Sequence, residues 1–568
     1  LPAWPRPSGP DKAATVYQRI SQAFLAGRRA GHFGRLRSVM PRSMLGGVLA
    51  LDLGTSSVRA VVYDTRGSMV KSTLCDLPYK VDTVAPGQVS SDPDSLLRLV
   101  ERSIDGALKE AAKEKLEILG VGASCYWHSL MGVDAAGRPT TELLTWADTR
   151  SAAETRSLRS RFSEHEYHAR TGCYFHASFW PAKLRWLKVT RPAAARRTTR
   201  WISFGEYLYH RLLGQYRVSI SIASGTGLLD VHRCAWDEKA LRIAGVRADH
   251  LSALAEWDEA PARLLPSFHQ RWPALLGAPW FLPLGDGVLA NIGAGCMKPA
   301  WFCATIGTSS ALRVILKRGQ LAVPWGVWVY RLDRRRFVLG GALSEGGNVI
   351  RWITDGLGVG HKKKLERAAA RMPPDGHGLT ILPFWAGERS PNWRGDARAA
   401  ITGLSLGTQP AAIFRAAMEG ITYQLAIVAD TMRRAVPRPR AVIATGGQLI
   451  NSTTWTQMLA DALRLRVMMS PEREASSRGA ALLTLHALGR RPRLWQEEPA
   501  RGRSFRPRAA AHAAYEKGRR RQQELYQLLL PPPGEHEHAR PSGPDGSATS
   551  AVGSGSRRKG LRSRAARR

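Results

Sequence analysis

Apolar and polar positions follow two different periods along this chain. LALDL (49–53) and VRAVVYD (58–64) are short apolar blocks of the kind that form buried strands, and only GTSS separates them. Four residues leave room for a tight turn and nothing more. A second turn at DTRGS (64–68) and the apolar run Val70 to Leu74 predict a hairpin and a third strand. The period then changes over SDPDSLLRLVERSIDGALKEAAKEK (91–115), where a capping start and apolar positions at helical spacing predict an amphipathic helix. LEILGVGAS (116–124) and LMGVDAAG (130–137) return to the strand pattern, the second closed by a glycine turn. The order β-β-β-α-β begins an α/β layered domain.

The same order restarts at WFCATIGTSSALRVIL (301–316). LDLGTSSV (51–58) and TIGTSSAL (305–312) share the GTSS tetrad in a strand–turn–strand setting, which predicts an internal duplication. Two similar lobes, each presenting such a turn, would face each other across a nucleotide cleft. Asp52 stands at a strand end against Gly54, Thr55, Ser56 and Ser57. Bare amides and hydroxyls bond phosphate oxygens, and a carboxylate beside them suits Mg2+, which keeps much of its water shell. A plain hairpin turn uses the same residue types.

Composition limits the remaining classes. At 568 residues with 44% hydrophobic content, the chain exceeds one core and divides into at least two large domains. No apolar run approaches the roughly 18 residues that span a bilayer, so no membrane partner is expected. Six cysteines without a CxxC pair argue against zinc ribbons and disulfide frameworks, and for core thiols in a reducing, cytoplasmic compartment. The net charge of +37 raises nucleic acid as a partner. Its distribution weakens that reading: residues 1–46 carry eight Lys/Arg against one acid, and residues 501–568 carry sixteen against five. Both ends are rich in Pro, Gly and Ser and weakly periodic, as disordered tails are, so nucleic acid is expected only non-specifically through them. The Arg-rich leader has the look of a transit peptide, and Met40 or Met44 offers an alternative start. EHEYH (His165, His168) and EHEH (His536, His538) lack a third ligand nearby and read as solvated rather than metal-binding.

Six ordered motifs are more specific than any of these signals. LDLGTSSVRAVVYD, LTWADTRSAAE, GDGVLANIG, ATIGTSSALR, LPFWAGERSPNW and ATGGQLINSTTWTQMLADAL resemble the FGGY family of carbohydrate kinases, most closely its gluconokinase-like members, from about residue 47 to 528. The resemblance implies two actin-like (ribonuclease H-like) domains around a deep cleft. They would cover residues 47–297 on the sugar side and 298–528 on the ATP side, between a basic leader over 1–46 and a disordered basic tail over 529–568. It implies transfer of the γ-phosphoryl group of Mg-ATP to a sugar hydroxyl, with ATP and Mg2+ as cofactors and a homodimer as a possible assembly.

Residue by residue, the resemblance makes Asp286 the catalytic base, set between two glycines that would let the backbone approach substrate, though an N-cap aspartate looks the same in sequence. Asp52 would serve catalysis by holding Mg2+ through water, with a basic residue at Arg59 on the following strand. Gly54, Thr55, Ser56 and Ser57 would meet phosphate, Gly307 and Thr308 the β/γ-phosphates, and Gly446, Gly447, Gln448 and Asn451 the α-phosphate and adenosine. Trp127, His128, Trp146, Asp148 and Arg150 would contact the sugar, offering stacking faces, a bidentate cation and acceptors. Ala412 departs from the family, which usually carries a polar residue there. D-Gluconate is the substrate expected, with a xylulokinase or polyol kinase as the nearest alternative. A nucleic-acid-binding protein on an inactive kinase fold is the rival from another class.

Overall fold

In the computed structural model, β1 (Leu45–Leu53) and β2 (Ser57–Asp64) form an antiparallel hairpin, with Asp52 opposite Arg59 and Leu53 opposite Val58. The described residues are 45–530 without 260 and 501, so nearly all of the expected leader and tail, with His536 and His538, lies outside them. β3 (Cys75–Pro78) joins β2. The third strand thus falls a few residues after Val70 to Leu74, which instead contains a tight turn. Thr73 makes that turn by donating its hydroxyl to Val70 O (2.7 Å) and accepting from Val62 N (2.9 Å).

α1 (Pro93–Lys113) starts where Asp92 accepts from Ser95 N at 2.7 Å and Pro93 occupies the first turn. Its apolar face buries Leu96, Leu97, Val100 and Ile104, each contributing about 1.5–3 kcal/mol as an upper estimate. β4 (Leu116–Cys125) lies parallel to β1, and β5 (Leu284–Gly285) parallel to β4, giving the sheet order β5-β4-β1-β2-β3. α2 (Asp286–Gly293) leaves directly from β5. LMGVDAAG does contain a strand, Met131–Val133, but it pairs with Arg200–Ile202 outside this sheet.

The second lobe repeats the hairpin. β6 (Trp301–Ile306) and β7 (Ser310–Lys317) are antiparallel around the second GTSS, followed by β8 (Trp328–Asp333) and β9 (Arg336–Leu343). After α3 (Pro410–Arg433), β10 (Ala441–Thr445) lies parallel to β6, as β4 does to β1. With β11 (Val467–Met469) and β12 (Ser504–Phe505) the order is β8-β9-β7-β6-β10-β11-β12. Ala412 is buried on α3 within this core.

Two late helices break the simple division. α4 (Ala475–Ala487) returns to the first lobe, where Ala480, Leu482, Leu483 and Leu485 complete its core and Ser477 meets Tyr63 at 2.8 Å. α5 (Ala509–Leu529) packs on the second lobe by burying Tyr515 and Gln522. Charge alone groups this stretch with a disordered end, yet it is an ordered helix. Two of its three arginines are neutralised in place, Arg519 by Asp430 (2.5 Å) and Arg521 by Asp375 (2.7 Å). Asp375, His377 and Glu419 lie close enough together to resemble a metal site. Arg521 and Arg415 take up their charge, the latter 2.6 Å from Glu419. Five of the six cysteines are buried, Cys75 is half-buried, and none is in a disulfide.

Candidate active site

Strand register brings the two acids together. Asp52 on β1 and Leu284 on β5 both pair with Ser124 of β4, so Asp286 leaves the sheet two strands from Asp52, about 10 Å at ordinary strand spacing. Asp52 is buried, which raises its carboxyl; Arg59, 3.3 Å away, and the neighbouring Ser124 hydroxyl oppose this. Arg59 also pairs with Asp76 (3.0 Å) and Glu474 (3.4 Å), so one cation serves three carboxylates. This surplus of negative charge beside the amides and hydroxyls of the loop is a donor set that fits a hard divalent cation. Burial in the cleft pushes the carboxyl of Asp286 up to about 6; Arg313 opposes the rise and the charge of Asp52 adds to it.

The loop after β1 is closed by Gly54 N donating to Ser57 O (3.1 Å) and Tyr79 OH donating to Gly54 O (2.7 Å). Ser56 is exposed, Gly54 and Thr55 are half-buried, and Ser57 is buried. In the second lobe Gly307 N bonds Ser309 O at 2.9 Å. Thr305 lies opposite Thr445, which brings Gly307 and Gly446 out of adjacent strands. Gly446 has φ 81, and a Cβ there would stand 2.6 Å from Ile306 O, so only glycine fits. Gly447 opens the short helix Gly447–Asn451; Gln448 accepts from Lys362 at 2.6 Å, and Asn451 is exposed. Gly347 N and Asn348 N cap the loop by bonding Gly307 O (2.7 Å) and Thr308 O (3.1 Å). Lys362, Gly347 and Asn348 were not singled out from sequence, although the Gly-Gly pair in EGGN was a signal.

The expected sugar residues separate into two groups. Trp127 is buried with its ring against Gly285 and Gly287 and its indole N–H donating to Ser221 O at 2.9 Å. The glycines beside Asp286 therefore make room for an indole, rather than for substrate. Asp148 and Arg150 are taken up by each other and by Glu142, with Arg150 2.6 Å from Asp148 and 2.9 Å from Glu142 and stacked on Trp186. Trp146 is half-buried and has the guanidinium of Arg389 5.4 Å above its ring. His128 is held at φ 70, its Nδ1–H donating to Gly225 O at 2.5 Å, which leaves Nε2 as an acceptor. Burial and the charge of Arg389 keep its ring neutral. Behind it, the buried Lys183 donates to His128 O (2.8 Å) and Thr145 O (2.7 Å). Arg389, His176 and Lys183 are the residues that sequence reasoning missed here.

EHEYH is not a solvated run. His168 is buried, with Nε2 donating to Val327 O at 2.9 Å, and exposed His165 stacks on Trp325 of the second lobe at 3.8 Å between ring centroids. Both rings cross the interlobe seam.

Two lobes built on one repeated hairpin, with a pair of acids at one sheet end and glycine turns at the other, define a two-lobed phosphotransferase of the actin-like type. The chain belongs to the FGGY family of carbohydrate kinases. The family's N-terminal domain model matches residues 47–293 and its C-terminal domain model residues 303–488. The gluconokinase of Bacillus subtilis is 29% identical over 454 residues, covering 78% of this chain and 88% of its own. The glycerol kinase of Rhodospirillum centenum is 30% identical over 461 residues, covering 77% and 88%. A solved xylulose kinase from Lactobacillus acidophilus shares the fold with a TM-score of 0.79 at 24% identity, over 86% of this chain and 99% of that one.

Proposed function

We propose that this FGGY kinase transfers the γ-phosphoryl group of Mg-ATP to D-gluconate, giving 6-phosphogluconate and ADP. The observation that carries the chemistry is the placement of Asp52 and Asp286 at the same end of the two strands that flank β4 in the first sheet, with the turns at Gly307 and Gly446 leaving adjacent strands of the second. Asp286 takes the proton of the attacking hydroxyl as that oxygen moves in line on phosphorus; a carboxyl near 6 is ionised at neutral pH and still basic enough to accept it. Asp52 would hold Mg2+, which when bound would supply positive charge against the phosphate oxygens. The amides and hydroxyls of Gly54 to Ser57 and of Gly307 and Thr308 orient the phosphates. Gly446, Gly447, Gln448 and Asn451 line the nucleoside side. Trp146 and His128 face the sugar, while Trp127, Asp148 and Arg150 hold the segments that carry them.

The likeness to the Bacillus subtilis gluconokinase over most of both chains supports gluconate. The likeness to a glycerol kinase keeps a neutral polyol as the second reading. An ADP-coupled assay of gluconate, other aldonates, xylulose and glycerol decides between them. Gluconate should show the highest kcat/KM; a higher value for a neutral substrate overturns the assignment.

A further inference from the structure

Arg389 is a buried cation without a counterion. Its side chain stands among Trp146, Trp393 and Tyr330, the residue is 7% exposed, and its Nε has no hydrogen-bond partner. Asp286 and Glu345 act on it only through space, with no ion pair among the described residues. Burial pushes Glu345 up to about 8, so at neutral pH it is largely uncharged and supplies no anion. An unpaired guanidinium out of water costs several kcal/mol, and such a group persists where something else repays that cost.

The neighbours of Arg389 add donors rather than acceptors. His176 is buried and neutral, and its Nδ1 accepts from Ser178 N at 3.1 Å, so its proton sits on Nε2, which carries no hydrogen bond. Lys183, also buried, feels the charge of Arg389, and both of its hydrogen bonds go to carbonyls. A guanidinium fork and an imidazole N–H together match the two oxygens of a carboxylate, whereas a neutral hydroxyl would leave the charge of Arg389 unanswered.

We infer that Arg389, assisted by His176, binds the carboxylate of a sugar-acid substrate and is the residue that selects an acid over its neutral polyol counterpart. This rests on the gluconate reading and names the part of the site that enforces it. It also orients the chain of hydroxyls: with the acid end held at Arg389, the far hydroxyl is the one presented to Asp286.

The test compares gluconate with D-glucitol, which carries the same hydroxyls without the carboxylate, in the full-length protein. Binding is followed by calorimetry with ADP and Mg2+ present, and turnover by the coupled assay. Arg389→Met should weaken gluconate binding about 10- to 100-fold, the range for a lost hydrogen bond to a charged group, and change glucitol binding less than threefold. Arg389→Lys keeps charge without the fork and should recover part of the gluconate affinity. Equal losses for both ligands, in variants that still bind ADP, would mean that Arg389 is a structural peg and overturn the inference. So would wild-type turnover of gluconate with an unchanged KM in Arg389→Met, an outcome that leaves the gluconate assignment standing. A wild-type protein that phosphorylates only neutral substrates and binds no gluconate overturns the assignment and the inference together.

Discussion

The indole of Trp127 fills the space that a side chain at Gly285 would need, and a Cβ at Gly287 would stand 2.6 Å from the same ring. The ring is anchored by its indole N–H on Ser221 O, so the backbone that carries Asp286 rests on a fixed aromatic plate. Gly285→Ala should move the base. A displacement near 1 Å costs about 10²-fold in rate, and overpacking costs about 1–3 kcal/mol in stability. Kinetics and denaturant melts of Gly285→Ala, and of the same change with Trp127→Phe to relieve the clash, check this. Normal turnover in Gly285→Ala would show that the plate does not position the base.

Asp286 must be ionised to accept a proton. With its carboxyl near 6, kcat/KM should fall about tenfold per pH unit below 6 and level off above it. Asp286→Asn should lose turnover by about 10²- to 10⁴-fold while keeping nucleotide affinity. A variant retaining more than half of normal turnover would remove Asp286 from the mechanism.

Arg150 and Asp148 separate a sugar contact from a structural pair. The pair is largely out of water and is completed by Glu142, so Arg150→Met leaves two acids facing each other and should cost about 3–5 kcal/mol. The signature is a large drop in the denaturation midpoint with little change in KM for the remaining folded enzyme. A raised KM at unchanged stability would return Arg150 to the substrate.

His168 makes stability depend on pH. Burial holds its ring near 4 in the folded chain against about 6.5 when unfolded, so the unfolded chain binds the extra proton between those values. Its contribution is therefore full above pH 6.5 and is lost as pH falls toward 4, by about 3 kcal/mol in all. Urea midpoints at pH 7 and pH 5 for wild type and His168→Gln should show a steeper loss in wild type. Parallel curves would place the pH dependence elsewhere.

The repeated hairpin, α1 and the strand ends bearing Asp52 and Asp286 were legible because short apolar blocks and a tetrad recur at strand spacing, a local property. The third strand shifted because a side-chain bond from Thr73 to backbone outweighs an apolar run. Trp127, Asp148 and Arg150 have the residue types of sugar contacts, but what each one faces is decided by packing. Arg389 lies inside LPFWAGERSPNW, yet having no ion-pair partner among the described residues is a property of three-dimensional surroundings that no spacing encodes. His165 and His168 share one helix face and both meet Trp325 of the second lobe, and only the packing around that seam decides that the second is buried and the first exposed.

The return of α4 to the first lobe has a consequence for synthesis. A ribosome delivers β1 early, and the helix that covers this sheet only after the second lobe has almost entirely emerged. One face of β1 and β4 therefore stays open through most of translation, and the first lobe cannot close its core before residue 487 has cleared the exit tunnel. A premature stop in the second lobe before residue 475 would leave the first unfinished as well, so the two halves of the enzyme also mature as one.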